Sequence, residues 1–595
     1  MTIYTPHTSD IMHVLNDVTG FGDAIEQGVF GDLDVDTIEA VLQEAGKFAA
    51  EIVAPLNQVG DVQGAKLEDG KVTMPDGWTE AYTQWAQAGW NGLYMPEDIG
   101  GQGLPLTMNI AIQDMMNAAS MSFAICSTLT QGVADALQKH GSDMLKQQFL
   151  PKVVSGEWTG TMNLTEPQAG SDLALLRAKA ERHDDDTYKI TGTKIFITYG
   201  DHEMTDNIIH LVLARLPDAP EGTRGISLFA VPKYLVNEDG TLGARNDVKC
   251  LKLEEKLGIH ASVTAVMAYG EDEGAIGYLV GEENRGLNCM FTMMNQARLL
   301  VGVQGIGVAE RATQQAIAYA QERKQGNRPG GKETVAIIEH PDIRRMLFTM
   351  KSLTNAARAI CLATGLATDL SEKSPDEETR AKNANLVALL TPIAKAFSTD
   401  VGVEVASLGI QVHGGMGYME ETGAAQHYRD ARIAPIYEGT NGIQAIDLVG
   451  RKLPMEGAGV IGDFISELRQ TAQDVMAIND PQLGRMGYRI NGAVDALEEA
   501  TDWLLQNGGD QPDLALAGAT PYLRLFGLTT GGTYLARGAL KALKAQENDK
   551  APVASRIALA RFFAENQLPQ AHGLSSIIRG GGAFVEFDAN DIAVA

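Results

Sequence analysis

Hydrophobic positions along this 595-residue chain change texture twice. From about residue 35 to 155 they recur every three or four positions, as on one face of a helix. Residues 38–54 carry this pattern until Pro55 stops it, and residues 108–126 and 133–150 repeat it. The glycine-rich stretch 98–105 reads as a loop between helices. Near Trp158 the segments become short and β-branched. Residues 189–198, 208–214, 225–231 and 261–269 predict strands separated by turns rich in Asp, Gly and Pro. Helical spacing returns at Asn284, where Leu287, Met290, Met294, Ala297 and Val301 form one apolar face. Long helices are expected over 343–370 and 379–410, and again from about Lys452 to a Gly-rich tail at 579–584. The fold class is therefore α+β, with a β module between helical regions. The chain is too long for one core, so its length predicts two to four domains, and the division expected is 1–157, 158–282, 283–450 and 451–595.

Composition narrows the function. The formal net charge of −28 opposes nucleic-acid and anionic-membrane binding, so an anionic ligand would need locally placed cations. The N-terminal residues have no basic stretch and no apolar core, which argues against a signal peptide. No uninterrupted apolar run approaches about 18 residues, so no membrane span is expected. Cys126, Cys250, Cys289 and Cys361 are widely spaced, which points to free thiols in a reducing, cytoplasmic setting and against a metal site or disulfide framework.

Four constellations carry chemistry. Met162 to Asp172 (MNLTEPQAGSD) sets small and hydroxyl side chains at the rim of the β module, where backbone N–H groups can approach a ligand. Downstream, Phe196 and Thr198 share one strand face, so an aromatic ring could lie on a flat cofactor while a hydroxyl bonds its edge. Asn295 and Arg298 lie on the following helix, with Arg298 placed for an anionic or carbonyl-rich ligand. Arg323, Lys324 and Gln325 end a long helix, and guanidinium suits pyrophosphate. Finally, Gln411, Gly414 and Gly415 precede Tyr437, Glu438, Gly439, Thr440 and Asn441. The Gly-Gly turn reads as the bare wall of a pocket into which Glu438 is aimed as a general base. His413, beside the glycines, reads as structural.

In this order the motifs resemble the acyl-CoA dehydrogenase family over about residues 35–450, most closely its larger bacterial branch with an added C-terminal helical domain. The resemblance implies an N-terminal helical domain, a middle β-barrel or β-sandwich, a helical bundle and the extra helices. It also implies non-covalently bound FAD and formation of a trans-2-enoyl-CoA. Glu438 would remove the α proton while the β hydride passes to the flavin. Met162, Leu164, Thr165, Phe196 and Thr198 would contact the isoalloxazine. Gly170 and Ser171 would border flavin and CoA arm. Arg298 would hold CoA, with Asn295, Tyr437 and Gly439 on the substrate side. Arg323, Gln325, Gln411, Gly414 and Gly415 would hold the pyrophosphate of a neighbouring subunit's FAD, and Thr440 its adenosine side. Phe196 stands where the family usually has Trp, and Gly442 where it often has Gln. Some relatives carry the base immediately before the CoA-binding Arg. That position is Ala297 here, which cannot accept a proton and so favours Glu438.

The implied partners are an acyl-CoA, of short or medium chain or bearing a thioether, and an electron-transferring flavoprotein. The extra domain implies a homodimer. Met108, Met115, Met116 and Met121 are candidates for the pocket floor. An acyl-CoA oxidase would share fold and base. A DNA-binding flavoprotein relative would need a basic C-terminal domain, whereas residues 451–595 are rich in acids. A helical scaffold without flavin is the third reading.

Overall fold

A computed structural model of the chain describes residues 4–478, 480–545 and 552–594. They form two compact units. One is built from Lys47–Pro105 and Ala119–Ala297, the other from Met1–Gly46, Leu106–Ala118 and Arg298–Ala595.

The first unit holds an eight-stranded sheet: β1 (Thr159–Asn163), β2 (Lys179–Arg182), β3 (Thr187–Thr198), β4 (Ile208–Arg215), β5 (Ile226–Pro232), β6 (Val248–Leu253), β7 (Thr264–Tyr269) and β8 (Ala275–Leu279). The order is β6-β7-β3-β8-β5-β4-β1, with β2 pairing β3 and β4. β4 and β5 are buried along nearly their whole length, as strands covered on both faces are, rather than alternating. Ile209, Leu211, Leu213, Phe229 and Val231 pack there with Val133, Leu137 and Val153 from flanking helices and with Phe149 and Trp158. A hairpin, Lys66–Glu68 with Lys71–Thr73, interrupts the N-terminal helices. Asp69 and Gly70 both take positive φ, the two-residue turn that Asp-Gly favours, so the signal was present in the chain.

The helix break expected between residues 126 and 133 is absent. Leu106–His140 runs through it and kinks instead at Ser120. The polar run 127–131 resembles a linker, but Ser127 donates to the Ala124 carbonyl and Thr130 to that of Cys126, so the hydroxyls fold back onto the helix. Gly132 then gives a close approach: a Cβ there would stand 2.6 Å from Met293 Cγ.

The second unit is helical. The N-terminal residues, which carry no clear periodicity, form short helices from Thr8 onward. Pro341–Lys373 and Glu377–His413 are joined by a tight connection in which Asp376 caps the second helix by accepting from Thr379 N–H at 2.8 Å. Glu377–His413 runs alongside Gly286–Glu322, whose residues from Arg298 on belong to this unit. A Cβ on Gly302 would meet the Ala394 carbonyl oxygen at 2.4 Å, one on Gly305 that of Ser398 at 2.3 Å, and one on Gly402 that of Gly305 at 2.8 Å. Three glycines thus let two backbones touch. One stretch from Glu377 to Tyr418 is long and apolar enough to cross a membrane, but 72% of its most apolar window is buried inside the protein. Met108, Met115, Met116 and Met121 are all buried at 2% exposure or less, as core side chains are.

Candidate active site

Glu438 sits in a loop with left-handed backbone, at φ 57°, and Gly439 follows at φ 80°. A non-glycine residue in that region costs about 1–3 kcal/mol and persists only where its surroundings impose it. Here they do. The Tyr437 hydroxyl donates to Gln304 Oε1 on the Gly286–Glu322 helix. The Gln444 amide donates to the carbonyls of Glu438 and Gly439 at 3.3 and 3.4 Å. Asn441 N–H donates to the Pro435 carbonyl at 3.0 Å. Thr440 caps the next short helix by accepting from Ile443 N–H. Gly439 suits its left-handed backbone, and a Cβ there would displace only the amide end of Gln444, 2.7 Å away, which holds the loop.

The part-buried Glu438 carboxyl is pushed up to about 7 by desolvation, with Arg298 and Lys395 pulling it back. Burial also lowers Arg298, which interacts favourably with Asp447 and Glu438 and unfavourably with Arg451. Lys395 is fully buried, and its ammonium is pushed down to about 7, against the attraction of Glu438 and Asp400. A carboxylate that titrates near neutrality, held rigidly beside two cations, can take a proton from a weakly acidic C–H. Ala297 is buried and offers no base. Lys395, Gln304, Gln444 and Asn441 had no role assigned from sequence. A lone lysine in the apolar run of residues 386–397 was the available signal for the first.

The β unit presents the other candidate segment. β3 carries a bulge opposite β7, where the register steps from Lys194↔Met267 to Ile197↔Ala265. Phe196 lies in it at φ 61° and is 58% exposed, while Ile197 beside it is buried. An exposed aromatic on strained backbone is no core residue, and bulges re-aim side chains in this way. Met162, Leu164 and Thr165 are part-buried where β1 ends, and Gly170 has no neighbour within 4 Å of a Cβ position. Ile195 N–H donates to the Thr165 carbonyl at 2.9 Å, tying the two stretches together. Beneath them, fully buried Lys194 donates to Glu166 at 2.8 Å and to the Leu164 carbonyl at 3.1 Å. A bare glycine, part-buried hydroxyl and apolar side chains and an exposed ring fit a planar aromatic cofactor with polar edges such as a flavin. Ser171 and Asn295 are exposed, the latter on the Gly286–Glu322 helix.

The Gly414–Gly415 turn does not wall the Glu438 loop. Asn441 docks that loop on residues 395–400, and the glycines follow the far end of the same helix. From Lys395 to Gln411 the rise is about 24 Å at 1.5 Å per residue. Gln411, Gly414 and Gly415 are exposed, and a Cβ on either glycine would meet open space. Arg323 and Gln325 are exposed at the start of a hairpin that follows the helix. His413 is structural as expected: its Nδ1 pairs with the Gly409 carbonyl at 2.7 Å and its ring stacks on Tyr319.

Against known proteins, four family models match: the acyl-CoA dehydrogenase N-terminal domain at residues 36–157, its middle domain at 161–271, its C-terminal domain at 284–453, and an acetyl-CoA dehydrogenase C-terminal-like domain at 464–586. The chain is 46% identical over 586 residues to 3-methylmercaptopropionyl-CoA dehydrogenase of Ruegeria pomeroyi, covering 98% of this chain and 99% of that one. It is 34% identical to a butyryl-CoA dehydrogenase of Syntrophomonas wolfei, covering 91% and 90%. An acyl-CoA dehydrogenase complexed with FAD from Bacillus anthracis shares the fold at a TM-score of 0.75 and 21% identity, covering 98% and 93%. The loop geometry, the helices and sheet that carry it, and these matches lead to one conclusion: the chain belongs to the acyl-CoA dehydrogenase family, FAD-dependent oxidoreductases acting on CH–CH bonds.

Proposed function

We propose that the enzyme converts an acyl-CoA to its trans-2-enoyl-CoA, with Glu438 removing the α proton. The observation that carries this reading is a part-buried carboxyl raised to about 7 on a loop pinned at both ends. Bound FAD supplies the acceptor for the β hydride. Met162, Leu164, Thr165, Gly170, Ser171, Phe196 and Thr198 hold its ring system, for which the exposed Phe196 is the main support. Arg298 takes the CoA arm, with Ser171, Asn295, Tyr437 and Gly439 on the substrate side. The acyl group is short or medium in length, or 3-methylthiopropanoyl; full-length identity of 46% to an enzyme named for that thioester supports the last. Bleaching of the flavin under anaerobic conditions by a panel of acyl-CoAs tests the reading, and no bleaching by any of them overturns it. Electron-transferring flavoprotein is the acceptor; faster reoxidation by oxygen would make the enzyme an oxidase instead. The net charge of −28 speaks against the DNA-binding alternative.

Arg323, Gln325, Gln411, Gly414, Gly415 and Thr440 serve FAD bound chiefly by a neighbouring subunit, and the exposure of the first five supports this. A homodimer in the cytoplasm follows, with residues 451–595 replacing a second dimer contact; light scattering at tetramer mass would refute it. Arg323→Ala is expected to weaken FAD retention about tenfold while acyl-CoA affinity changes little. The FAD dissociation constant is the check. Arg298→Ala is expected to do the reverse, with normal flavin content but about tenfold weaker binding of a non-reactive acyl-CoA analogue, followed by flavin absorbance.

A further inference from the structure

Lys395 is a charged side chain with no exposed surface, on the helix that also carries Asp400. Its Nζ donates to Asn441 Oδ1 at 2.8 Å. The amide of Asn441 in turn donates to Asp400 Oδ1 at 2.7 Å and to the Ala396 carbonyl at 3.1 Å. Asn441 lies three residues beyond Glu438, so one lysine–asparagine–aspartate chain docks the end of the strained loop on the helix. Burying an ammonium without return is costly, and among the described residues Glu438 and Asp400 are the anions that offset it, against repulsion from Arg298. Asp400 is itself offset by Arg524 and burdened by Glu404.

We infer that Lys395 is a positioning residue for the base. Its ammonium holds the Tyr437–Thr440 loop on the helix through Asn441 and supplies buried counter-charge that favours the ionised form of Glu438, the form that accepts a proton. This rests on the reading of Glu438 as the base. It extends that reading by assigning the charge balance of the loop to a residue that has no exposed surface.

The groups that face the base settle the direction of the effect. On the Gly286–Glu322 helix, Arg298 favours the carboxylate. From the Glu377–His413 helix, Lys395 does the same. Tyr437 next to it is held neutral by burial, Glu438 adding to that effect. Beyond them, Asp447 and Arg451 act on Arg298, and Asp400 on Lys395. Removing Lys395 takes away one of two favourable cations and adds none, so the carboxyl must hold its proton to higher pH.

The test is the rate of flavin reduction at saturating butanoyl-CoA and 3-methylthiopropanoyl-CoA, measured from pH 5.5 to 9.5 in the holoenzyme. In Lys395→Met the acid limb of the profile is expected to move up by about one pH unit. The rate at pH 6 then falls about tenfold below that of the unaltered enzyme, and at pH 9 the two approach each other. Lys395→Gln, which keeps a donor but no charge, is expected to shift in the same direction and guards against a folding defect in Lys395→Met. Lys395→Arg, which restores a cation, is expected to return the limb. A rate lowered equally at every pH, with the limb unmoved in Lys395→Met or Lys395→Gln, overturns the inference and leaves Lys395 a packing residue. Glu438→Gln measured in parallel separates the two readings. If it reduces flavin at the normal rate the base assignment falls, and if it does not while the Lys395 profiles are unmoved, only the inference falls.

Discussion

Glu438→Gln is expected to lower the rate of flavin reduction by about a thousandfold or more while leaving fold and flavin content intact, since positioned general bases contribute about 10²–10⁴-fold. The substitution is nearly isosteric and keeps the loop's anchors, which act on backbone and on neighbouring side chains: Tyr437 to Gln304, Gln444 to the carbonyls of Glu438 and Gly439, Asn441 to the helix. What is lost is the ability to accept a proton. In the unaltered enzyme the rate should rise with pH through about 7, because the carboxylate is the active form and burial has raised the carboxyl to that range. The amide has no such transition, so whatever residual rate it retains should lack that limb. Stopped-flow flavin absorbance with saturating substrate measures both. Retention of a near-normal rate would move the base elsewhere in the chain, and Ala297 at the alternative position leaves no obvious candidate on the helix.

The second large effect concerns stability. Arg358 is fully buried and donates from Nε to Asp114 at 2.6 Å, from Nη2 to Glu310 at 3.1 Å and from Nη1 to Asn355 at 2.7 Å. His7 lies 3.3 Å from the other Asp114 oxygen, and Lys351 bridges Glu310 and Asp10. Lys351, with His7 and the Arg358 guanidinium behind it, holds Glu310 well below the ordinary carboxylate range despite burial. Arg358→Leu keeps much of the volume but leaves buried Asp114 with His7 and buried Glu310 with Lys351, each short of its guanidinium partner. The expected cost is about 3–5 kcal/mol, the usual penalty for removing one partner of a buried ion pair. Changing Asp114 and Glu310 to apolar residues together with Arg358 should recover most of it, since no charge is then left unpaired. Denaturant midpoints of the variants, followed by helical circular dichroism, test both statements; equal midpoints for Arg358→Leu and the unaltered protein would mean that the network contributes nothing.

The sequence is most legible where the pattern is local. Tyr437 to Asn441, Phe196 and Arg298 were each legible from type and spacing, and so was the change from helical to β texture near Trp158. They part where space overrides order. Gly414 and Glu438 are 24 residues apart and were read as neighbours, but a long straight helix carries the Gly-Gly turn away from the loop. Arg358 and Asp114 are 244 residues apart and no pattern joins them. Residues 127–131 look like a linker by polarity, and only their back-bonded hydroxyls reveal a helix. Lys395 is a charge inside an apolar run and is passed over, because a sequence does not say which way such a residue faces or which loop returns to meet it.

The contact made by Gly302, Gly305 and Gly402 has a further consequence. It fixes the distance between the helices that carry Arg298 and Lys395 by main chain against main chain, with no side chain between to be exchanged for a larger or smaller one. Core substitutions elsewhere can loosen or tighten packing without changing that spacing. The electrostatic surroundings of Glu438 are thereby insulated from the drift that cores tolerate, because Arg298 and Lys395 stay on helices whose spacing no side chain sets.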